Sequence, residues 1–296
     1  MKPKILVILG PTATGKSDIA VKIARKFNGE IVSADSRQVY KGMDLGSGKI
    51  MRQEMRDIPH YLLDIANPSK QFSVAQYKKL AEKSIGKILA KGKLPIIVGG
   101  TGFYIDSVVR NIAVPKVKPD AALRKKLAKR STADLFAMLK KLSPSRAKNI
   151  DRHNPVRLIR AIEIARSLGH VPALKESPRK YDSVFIGLDL PDAELKKRIE
   201  KRLVKRLKLG MAYEVKKLHA NGISWRRLES FGLEYREIAK YLQKRISKEE
   251  MIENLKNDIW HFVKRQRTWF KRNKEITWFR PNEIEKISEK IKKPPV

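Results

Sequence analysis

Cysteine is absent from this 296-residue sequence, and so is any apolar run long enough to cross a bilayer. The lack of cysteine excludes disulfide bonds, zinc sites built on thiolates and thiol catalysis. The apolar run at residues 5–9 is far shorter than the roughly 20 residues that a membrane helix needs, and no signal-peptide cleavage site follows it. We therefore expect a cytoplasmic protein with no membrane segment, in which residues 5–9 form a buried strand.

Acidic residues are few compared with basic ones, with 31 Asp and Glu against 66 Lys and Arg and a formal net charge of +35. Such an excess repels itself unless an anionic partner neutralises it. Because the basic residues are spread along the whole chain, a nucleic acid is favoured over a membrane surface as that partner. The length allows one large domain with an insertion, or two domains.

Short apolar runs alternate with helical patterns in the first hundred residues. Strands are predicted at residues 4–9, 30–34 and 94–98, and helices at residues 16–27 and 73–90. Strands that alternate with helices in this way predict an α/β fold, with a parallel sheet flanked by helices.

After residue 113 the sequence shows helical patterns alone until a strand pattern returns at residues 184–190. A linker-like run at residues 114–119 comes first, and the helical patterns lie at residues 120–129, 133–142 and 155–168. The predicted domains are a core formed by residues 1–113 and 181–296 and an all-helical insertion formed by residues 114–180.

The remaining third of the chain is mainly helical. One long basic amphipathic helix is predicted over residues 192–218, and another helix over residues 251–271. The tail that ends at residues 292–295 is expected to be frayed.

A phosphate-binding loop of the pattern G-x-x-x-x-G-K-[ST] follows the first strand and opens the first helix, which is the context that such a motif requires. Gly10 and Gly15 allow backbone angles that a side chain would forbid, so that backbone N–H groups and the helix N-terminus can bind phosphate. Lys16 is expected to reach over the phosphates and Ser17 to bind Mg²⁺. The residues predicted to bind a diphosphate or nucleotide here are Gly10, Pro11, Thr12, Ala13, Thr14, Gly15, Lys16 and Ser17.

ATP is the default ligand of such a loop, yet the acidic partner of most P-loop NTPases is missing. These enzymes carry a magnesium-binding Asp at the end of another strand. In this sequence the strand at residues 95–98 ends in Gly99-Gly100-Thr101-Gly102, and Asp189 is only a loose match. ATP hydrolysis is therefore not the first expectation.

Asp35 follows the second predicted strand, at the edge where doubly wound sheets bind ligands. Two interpretations are open. The residue caps a turn or a helix, which is common for Asp after a strand, or it acts as a general base or metal ligand beside the phosphates.

Several segments taken together resemble the tRNA dimethylallyltransferase family, the bacterial tRNA isopentenyl transferases. The matching segments occur in the family's order and spacing, and together they span nearly the whole chain. Besides the phosphate loop, the segments are GEIVSADSRQVYKGMD (29–44), PHYLLDI (59–65), VGGTGFY (98–104), RLIRAIE (157–163), FGLEY (231–235) and KRQRTWF (264–270).

The resemblance implies transfer of the dimethylallyl group from dimethylallyl diphosphate to N6 of the adenosine on the 3′ side of a tRNA anticodon. It also implies Mg²⁺ as cofactor, a monomer, and a helical insertion that grips the anticodon stem-loop. Asp35 matches the family's general base, and Thr101 the residue near the acceptor nitrogen and the leaving group. The residues that match tRNA-contacting positions are Asp35, Ser36, Arg37, Gln38, Thr101, Arg124, Val156, Arg157, Leu158, Ile159 and Arg160.

Two basic residues of the predicted 192–218 helix, Arg198 and Arg202, match family positions. They either reach the diphosphate or belong to a solvated face. Other positions depart from the common family pattern: Val156 stands where Gln is frequent, and Trp260 stands where Arg is frequent. The segment at 231–235 replaces a commoner Gly-Tyr-Lys version.

Three further functions remain open from the sequence. The first is an adenylate isopentenyltransferase that acts on free AMP, ADP or ATP, the second a small-molecule kinase, and the third a non-catalytic RNA-binding protein. Near the C-terminus, an RNA-stacking surface is one interpretation of Arg265, Arg267, Trp269 and Phe270, and core packing is the alternative for the two aromatic residues. His60 is expected to be structural.

Overall fold

The computed structural model describes residues 2–293, and they divide into two compact units. Residues 2–111 and 178–293 form the first unit, and Ile112–Ser177 forms the second. None of the helices in these residues is both long enough and apolar enough to span a membrane.

The first unit is built on a six-stranded sheet with the strand order β3-β2-β4-β1-β5-β6. All the strand pairs are parallel. The α/β fold predicted from the sequence is thus confirmed. The strands are β1 (Lys4–Leu9), β2 (Gly29–Ser33), β3 (His60–Tyr61), β4 (Leu94–Gly99), β5 (Asp182–Leu188) and β6 (Thr277–Phe279).

Helices cover the sheet and make up the second unit. In chain order, the helices of the described residues are α1 (Lys16–Lys26), α2 (Arg52–Met55), α3 (Val74–Ala90), α4 (Gly102–Val109), α5 (Ala121–Leu127), α6 (Thr132–Leu142), α7 (Pro144–Ala147), α8 (Pro155–Leu168), α9 (Asp192–Lys208), α10 (Met211–Ala220), α11 (Trp225–Ser230), α12 (Leu233–Leu242), α13 (Lys248–Phe270) and α14 (Ile284–Lys292).

The central strand β1 is apolar at nearly every position because both faces of the sheet are buried. Val7 and Leu9 belong to the core on one face, together with residues of α3, α4, α10, α12 and α13. Leu6 and Ile8 belong to the core on the other face, together with α1 and α14. This alternation fixes the direction of β1 and places the loop after Leu9 at the carboxyl edge of the sheet.

The single helix predicted over residues 192–218 is wrong, because the structure has two helices there. Helix α9 ends at Lys208, and α10 begins at Met211. Gly210 lies between them with a φ of 96°, in the left-handed region where glycine has no Cβ penalty and commonly ends a helix. The apolar spacing continues across the break, so periodicity alone did not reveal it.

Smaller differences concern the ends of elements. Strand β5 spans Asp182–Leu188, two residues earlier than predicted, so Asp189 comes immediately after it. The edge strands β3 and β6 have only two and three residues, too few to show an alternating pattern. Helix α14 extends to Lys292, and of the tail expected to be frayed, Pro294 and Pro295 lie outside the described residues.

The second unit contains α5, α6, α7 and α8 around a small apolar core. Asp120, Ser131 and Asn154 start three of these helices as N-caps, each accepting a hydrogen bond from a backbone N–H in the first turn. The fully buried members of the core include Leu135, Leu139, Leu158 and Ile162.

Candidate active site

A cavity of about 760 Å³ opens at the carboxyl ends of β1, β2 and β4 in the first unit. The phosphate loop, the segments that follow β2 and β4, and helices α9 and α13 all contribute to its wall. Of the site residues predicted from the sequence, those that line it are Thr12, Ala13, Gly15, Lys16, Ser17, Asp35, Ser36, Arg37, Gln38, Thr101, Arg198 and Arg202.

The backbone of the phosphate loop is shaped by residues that do not face the cavity. Gly10 has a φ of 144°, and a Cβ there would lie 2.1 Å from the carbonyl oxygen of Leu188. The buried Thr14 hydroxyl donates to the carbonyl oxygen of Pro11 at 2.9 Å. These contacts fix the loop on its inner side and leave its outer side to a ligand.

Two basic side chains, those of Lys16 and Arg202, lie at the phosphate loop. Lys16 donates from Nζ to the Pro11 carbonyl at 2.6 Å, and burial together with the charge of Arg202 lowers the pKa of Lys16 to about 7. Arg202 donates to the hydroxyl of Thr12, and burial followed by the charge of Arg206 lowers the pKa of Arg202 to about 9. Because desolvation makes the charged forms of Lys16 and Arg202 costly in free energy, a bound polyanion would stabilise those charged forms.

Arg198, the other arginine of α9 that matches a family position, makes its ion pair away from the phosphate loop. Arg198 lines the cavity, but its guanidinium pairs with Glu194 one turn earlier at 2.8 Å and its side chain is half-exposed. The structure therefore brings Arg202 to the phosphate loop and leaves Arg198 at the rim.

Asp35 and Thr101 face the cavity from neighbouring strands. Oδ1 of Asp35 accepts hydrogen bonds from the backbone N–H groups of Arg37 at 2.8 Å and Gln38 at 3.3 Å, so one oxygen does cap a turn. The hydroxyl of Thr101 accepts from the N–H of Ser36 at 3.0 Å. The capping interpretation thus accounts for one carboxylate oxygen of Asp35 and leaves the other available to a ligand.

One anchoring residue gave no signal in the sequence. Glu214 on α10 accepts hydrogen bonds from the N–H groups of Asp44 at 2.9 Å, Leu45 at 2.6 Å and Gly46 at 3.0 Å, and from the Tyr235 hydroxyl at 2.9 Å. It therefore fixes the segment that forms one wall of the cavity. About 170 residues separate Glu214 from that segment, and local patterning does not detect such a pair.

The loose magnesium candidate, Asp189, is held by an arginine. Arg267 on α13 donates to both oxygens of Asp189 at 2.9 Å and also pairs with Asp192 at 2.5 Å. These hydrogen bonds raise the pKa of Arg267 further. Asp189 therefore links the end of β5 to α13.

The aromatic residues beside Arg267 belong to the core. Phe270 is 3% exposed, and Trp269 packs against the same core while donating from Nε1 to Asp106 at 2.8 Å. Of the two interpretations, core packing is correct for both rings. Arg265 does line the cavity, and His60 also lines it, with Nδ1 bonded to the carbonyl of Ile58 at 2.7 Å.

In the second unit, two of the predicted RNA-contacting arginines converge on one buried carboxylate. Arg124 donates to both oxygens of Glu163 at 2.8 and 2.9 Å, and Arg160 pairs with the same group and donates to the Val117 carbonyl at 2.9 Å. Burial opposes ionisation of Glu163, but bonds from Arg124, the Asp120 N–H and Arg160 outweigh it and lower its pKa.

The other residues predicted to contact RNA divide by the face of α8 on which they lie. Val156 is 69% exposed and Arg157 is also exposed, whereas Leu158 is fully buried and Ile159 packs against the core of the unit. The side chain of Leu158 stabilises that core and does not reach the surface, contrary to the RNA contact expected for it.

Comparison with known proteins places the chain in a family. The family model for "IPP transferase" matches residues 38–273. A tRNA dimethylallyltransferase of Syntrophus aciditrophicus is 42% identical over 301 residues, which cover 99% of this chain and 98% of the relative.

Solved structures agree with this sequence match. The full-length tRNA isopentenylpyrophosphate transferase of Bacillus halodurans has a TM-score of 0.74 and 35% identity, covering 98% of this chain and 96% of that one. A eukaryotic dimethylallyltransferase solved while acting on tRNA has a TM-score of 0.75 and 25% identity, with 90% and 70% covered. The resemblance noted in the sequence is confirmed, and the chain belongs to the IPP transferase family.

Proposed function

We propose that this chain transfers the dimethylallyl group of dimethylallyl diphosphate to N6 of the adenosine on the 3′ side of the anticodon in tRNA. The observation that carries the proposal is one cavity that joins a cationic phosphate loop to a carboxylate and a hydroxyl on the neighbouring strands. The loop suits the diphosphate of the donor, and Asp35 and Thr101 suit an adenine amine.

On the donor side, the ester C–O bond to the diphosphate breaks and negative charge develops on the leaving group. Lys16 and Arg202 lie half-buried at the phosphate loop, where preorganised positive charge stabilises such an anion strongly. Ser17 lies in the first turn of α1 and lines the cavity, so its hydroxyl would hold a Mg²⁺ beside the diphosphate. When bound, that ion would add positive charge at the leaving group.

On the acceptor side, the exocyclic amine of adenine is a weak nucleophile because its lone pair is shared with the ring. A new N–C bond forms at N6, and the proton that N6 then loses passes to Asp35 as general base. Oδ1 of Asp35 is held by the N–H groups of Arg37 and Gln38, and the residue lines the cavity, so the other carboxylate oxygen is the one that suits the base.

The RNA partner follows from the family and from charge. The eukaryotic relative is described as acting on tRNA, and a net charge of +35 suits a polyanionic substrate. We propose that the second unit binds the anticodon stem-loop through exposed residues such as Val156 and Arg157, and that the target base leaves its stack to enter the cavity. A monomeric state and a cytoplasmic location remain predictions.

The test of this proposal is the Asp35→Asn variant. Asn keeps the Oδ1 acceptor that caps the turn, so the loop is retained while the base is lost. We expect the transfer rate to fall by about 10²-fold or more, with tRNA affinity nearly unchanged. The readout is mass spectrometry of nucleosides from unmodified tRNA with an A-rich anticodon loop, after incubation with the donor and Mg²⁺.

Two controls sharpen this experiment. Asp57→Asn makes the same chemical change at an exposed residue whose positive φ also suits Asn, and should leave the rate unchanged. Wild-type protein is also offered AMP in place of tRNA. Absence of N6-prenyl adenosine in every tRNA tried would sink the proposal, and faster transfer to AMP would favour an adenylate isopentenyltransferase.

A further inference from the structure

A buried glutamine joins two loops of the candidate active site. Gln266 lies on α13 and is 5% exposed. Its Oε1 accepts a hydrogen bond from the N–H of Thr12 at 2.9 Å, and its Nε2 donates to the carbonyl of Gly100 at 2.9 Å. Thr12 belongs to the phosphate loop, and Gly100 immediately precedes Thr101.

We propose that Gln266 is a positioning residue that holds the donor loop and the acceptor loop at a fixed distance for the transfer reaction. This inference rests on the proposed roles of the phosphate loop and Thr101. A transfer between two bound substrates is sensitive to their separation, since displacements near 1 Å cost about 10²-fold in rate. One amide that contacts both loops is suited to set that separation.

The two ends need one acceptor and one donor on the same side chain. The Thr12 end supplies a donor and the Gly100 end an acceptor, and glutamine offers both partners at any pH, whereas glutamate does so only when it is protonated. The fit at Gly100 is close, because a Cβ there would lie 2.3 Å from Nε2. Position 100 therefore has room for glycine and for no larger residue while the amide stays in place.

Neighbours on α13 keep the amide from moving. Arg267 is tied to Asp189 at the end of β5, and Trp269 donates to Asp106 on α4 and packs over Gly102, where a Cβ would lie 2.1 Å from the indole. The C-terminal part of α13 thus contacts the loops after β1, β4 and β5. Gln266 is the member of this group that touches the phosphate loop.

The experiment compares Gln266→Met and Gln266→Glu. Methionine keeps the length of the side chain and loses both hydrogen bonds. Glutamate keeps the acceptor for Thr12, but when ionised it turns a second acceptor toward the Gly100 carbonyl. When protonated, it can donate to that carbonyl as the amide does.

The test measures single-turnover transfer rates with saturating tRNA and donor over a range of pH, and the thermal unfolding of each variant is recorded in parallel. Gln266→Met should be slower by about tenfold or more at every pH, because it loses both hydrogen bonds. Gln266→Glu should be slow at high pH and recover relative to wild type as the pH is lowered. Gln76→Glu, at the exposed start of α3 where Glu also completes a capping box, should match wild type.

If Gln266 only stabilised the fold, its substitution would lower the unfolding temperature, and the transfer rate of Gln266→Glu would not recover at low pH. The inference is overturned if folded Gln266→Met transfers at the wild-type rate, or if the deficit of Gln266→Glu is the same at every pH. Gly100→Ala places a Cβ against Nε2 of Gln266 and so disturbs the same hydrogen bond from the side of the acceptor loop. Its transfer rate should fall by a comparable factor, which keeps the test decisive if a Gln266 variant fails to fold. A wild-type protein that transfers no prenyl group would instead overturn the proposed function.

Discussion

The half-buried side chain of Lys16 carries its ammonium group close to Arg202, so its protonation state depends on whether an anion is bound. Burial and the charge of Arg202 lower the pKa of Lys16 to about 7. The neutral amine therefore becomes the major form when the pH rises above that value. A bound diphosphate favours the charged form and raises the pKa again. We therefore expect diphosphate binding above neutral pH to take up a proton and to weaken as the pH increases.

Calorimetry with inorganic diphosphate, in two buffers of different ionisation enthalpy, measures that proton uptake. Lys16→Arg is the matched variant, because a guanidinium stays charged over this range. Protons that the diphosphate itself takes up on binding are measured with Lys16→Arg and are subtracted from the wild-type value. If wild type and variant took up the same number of protons, the titrating group would not be Lys16.

Single residues show how far sequence reasoning reached at the site. Lys16 and Asp35 were predicted to share one edge of the sheet because each follows a strand, and Thr101 was added by the family resemblance; all three line the cavity. Gln266 and Glu214 were not assigned, although both hold loops of that cavity. Their partners lie 254 and about 170 residues away in the chain, and no spacing rule connects such positions.

At the scale of elements, the break between α9 and α10 depends on one glycine. Gly210 has a φ of 96°, while the nearest atom to a Cβ there would be 3.9 Å away. Gly210→Ala therefore meets no clash and tests backbone strain alone. We expect it to lower the free energy of unfolding by about 1–2 kcal/mol, the cost of the left-handed conformation for a residue with a Cβ.

Gly86→Ala supplies the opposite result in the same assay. Gly86 is in the interior of α3 without a positive φ, and nothing lies within 4 Å of a Cβ there. It should raise stability by about 0.5–1 kcal/mol, because alanine loses less backbone freedom than glycine on forming helix. Urea unfolding of both variants is the measurement, and stabilisation by Gly210→Ala would contradict a structural role for the break.

On the scale of the whole molecule, the sequence predicted the sheet better than its edges. The central strands β1, β4 and β5 carry continuous apolar runs because helices cover both faces, and these runs were recognisable in the sequence. Strands β3 and β6 are held by pairing with their neighbours, which sequence patterning does not record. Helix α9 likewise looked continuous with α10 because both keep their apolar sides toward the core.

The net charge of +35 should make the binding of tRNA sensitive to salt. Each phosphate that the protein neutralises contributes roughly −0.7 to −0.9 to the slope of log affinity against log salt. We expect a steep fall in tRNA affinity with added KCl. Arg157→Ala, at an exposed position of the second unit, should make the slope shallower by about one such step.

Lys87→Ala is the control for this last comparison, since it removes one positive charge from an exposed position of α3, away from the lining of the cavity. Filter binding of tRNA at several KCl concentrations gives the slope for both variants and wild type. Equal changes in the two variants would mean that net charge alone governs binding. A change confined to Arg157→Ala would mean that a phosphate contacts the second unit near α8, because only a local contact distinguishes two substitutions of equal charge.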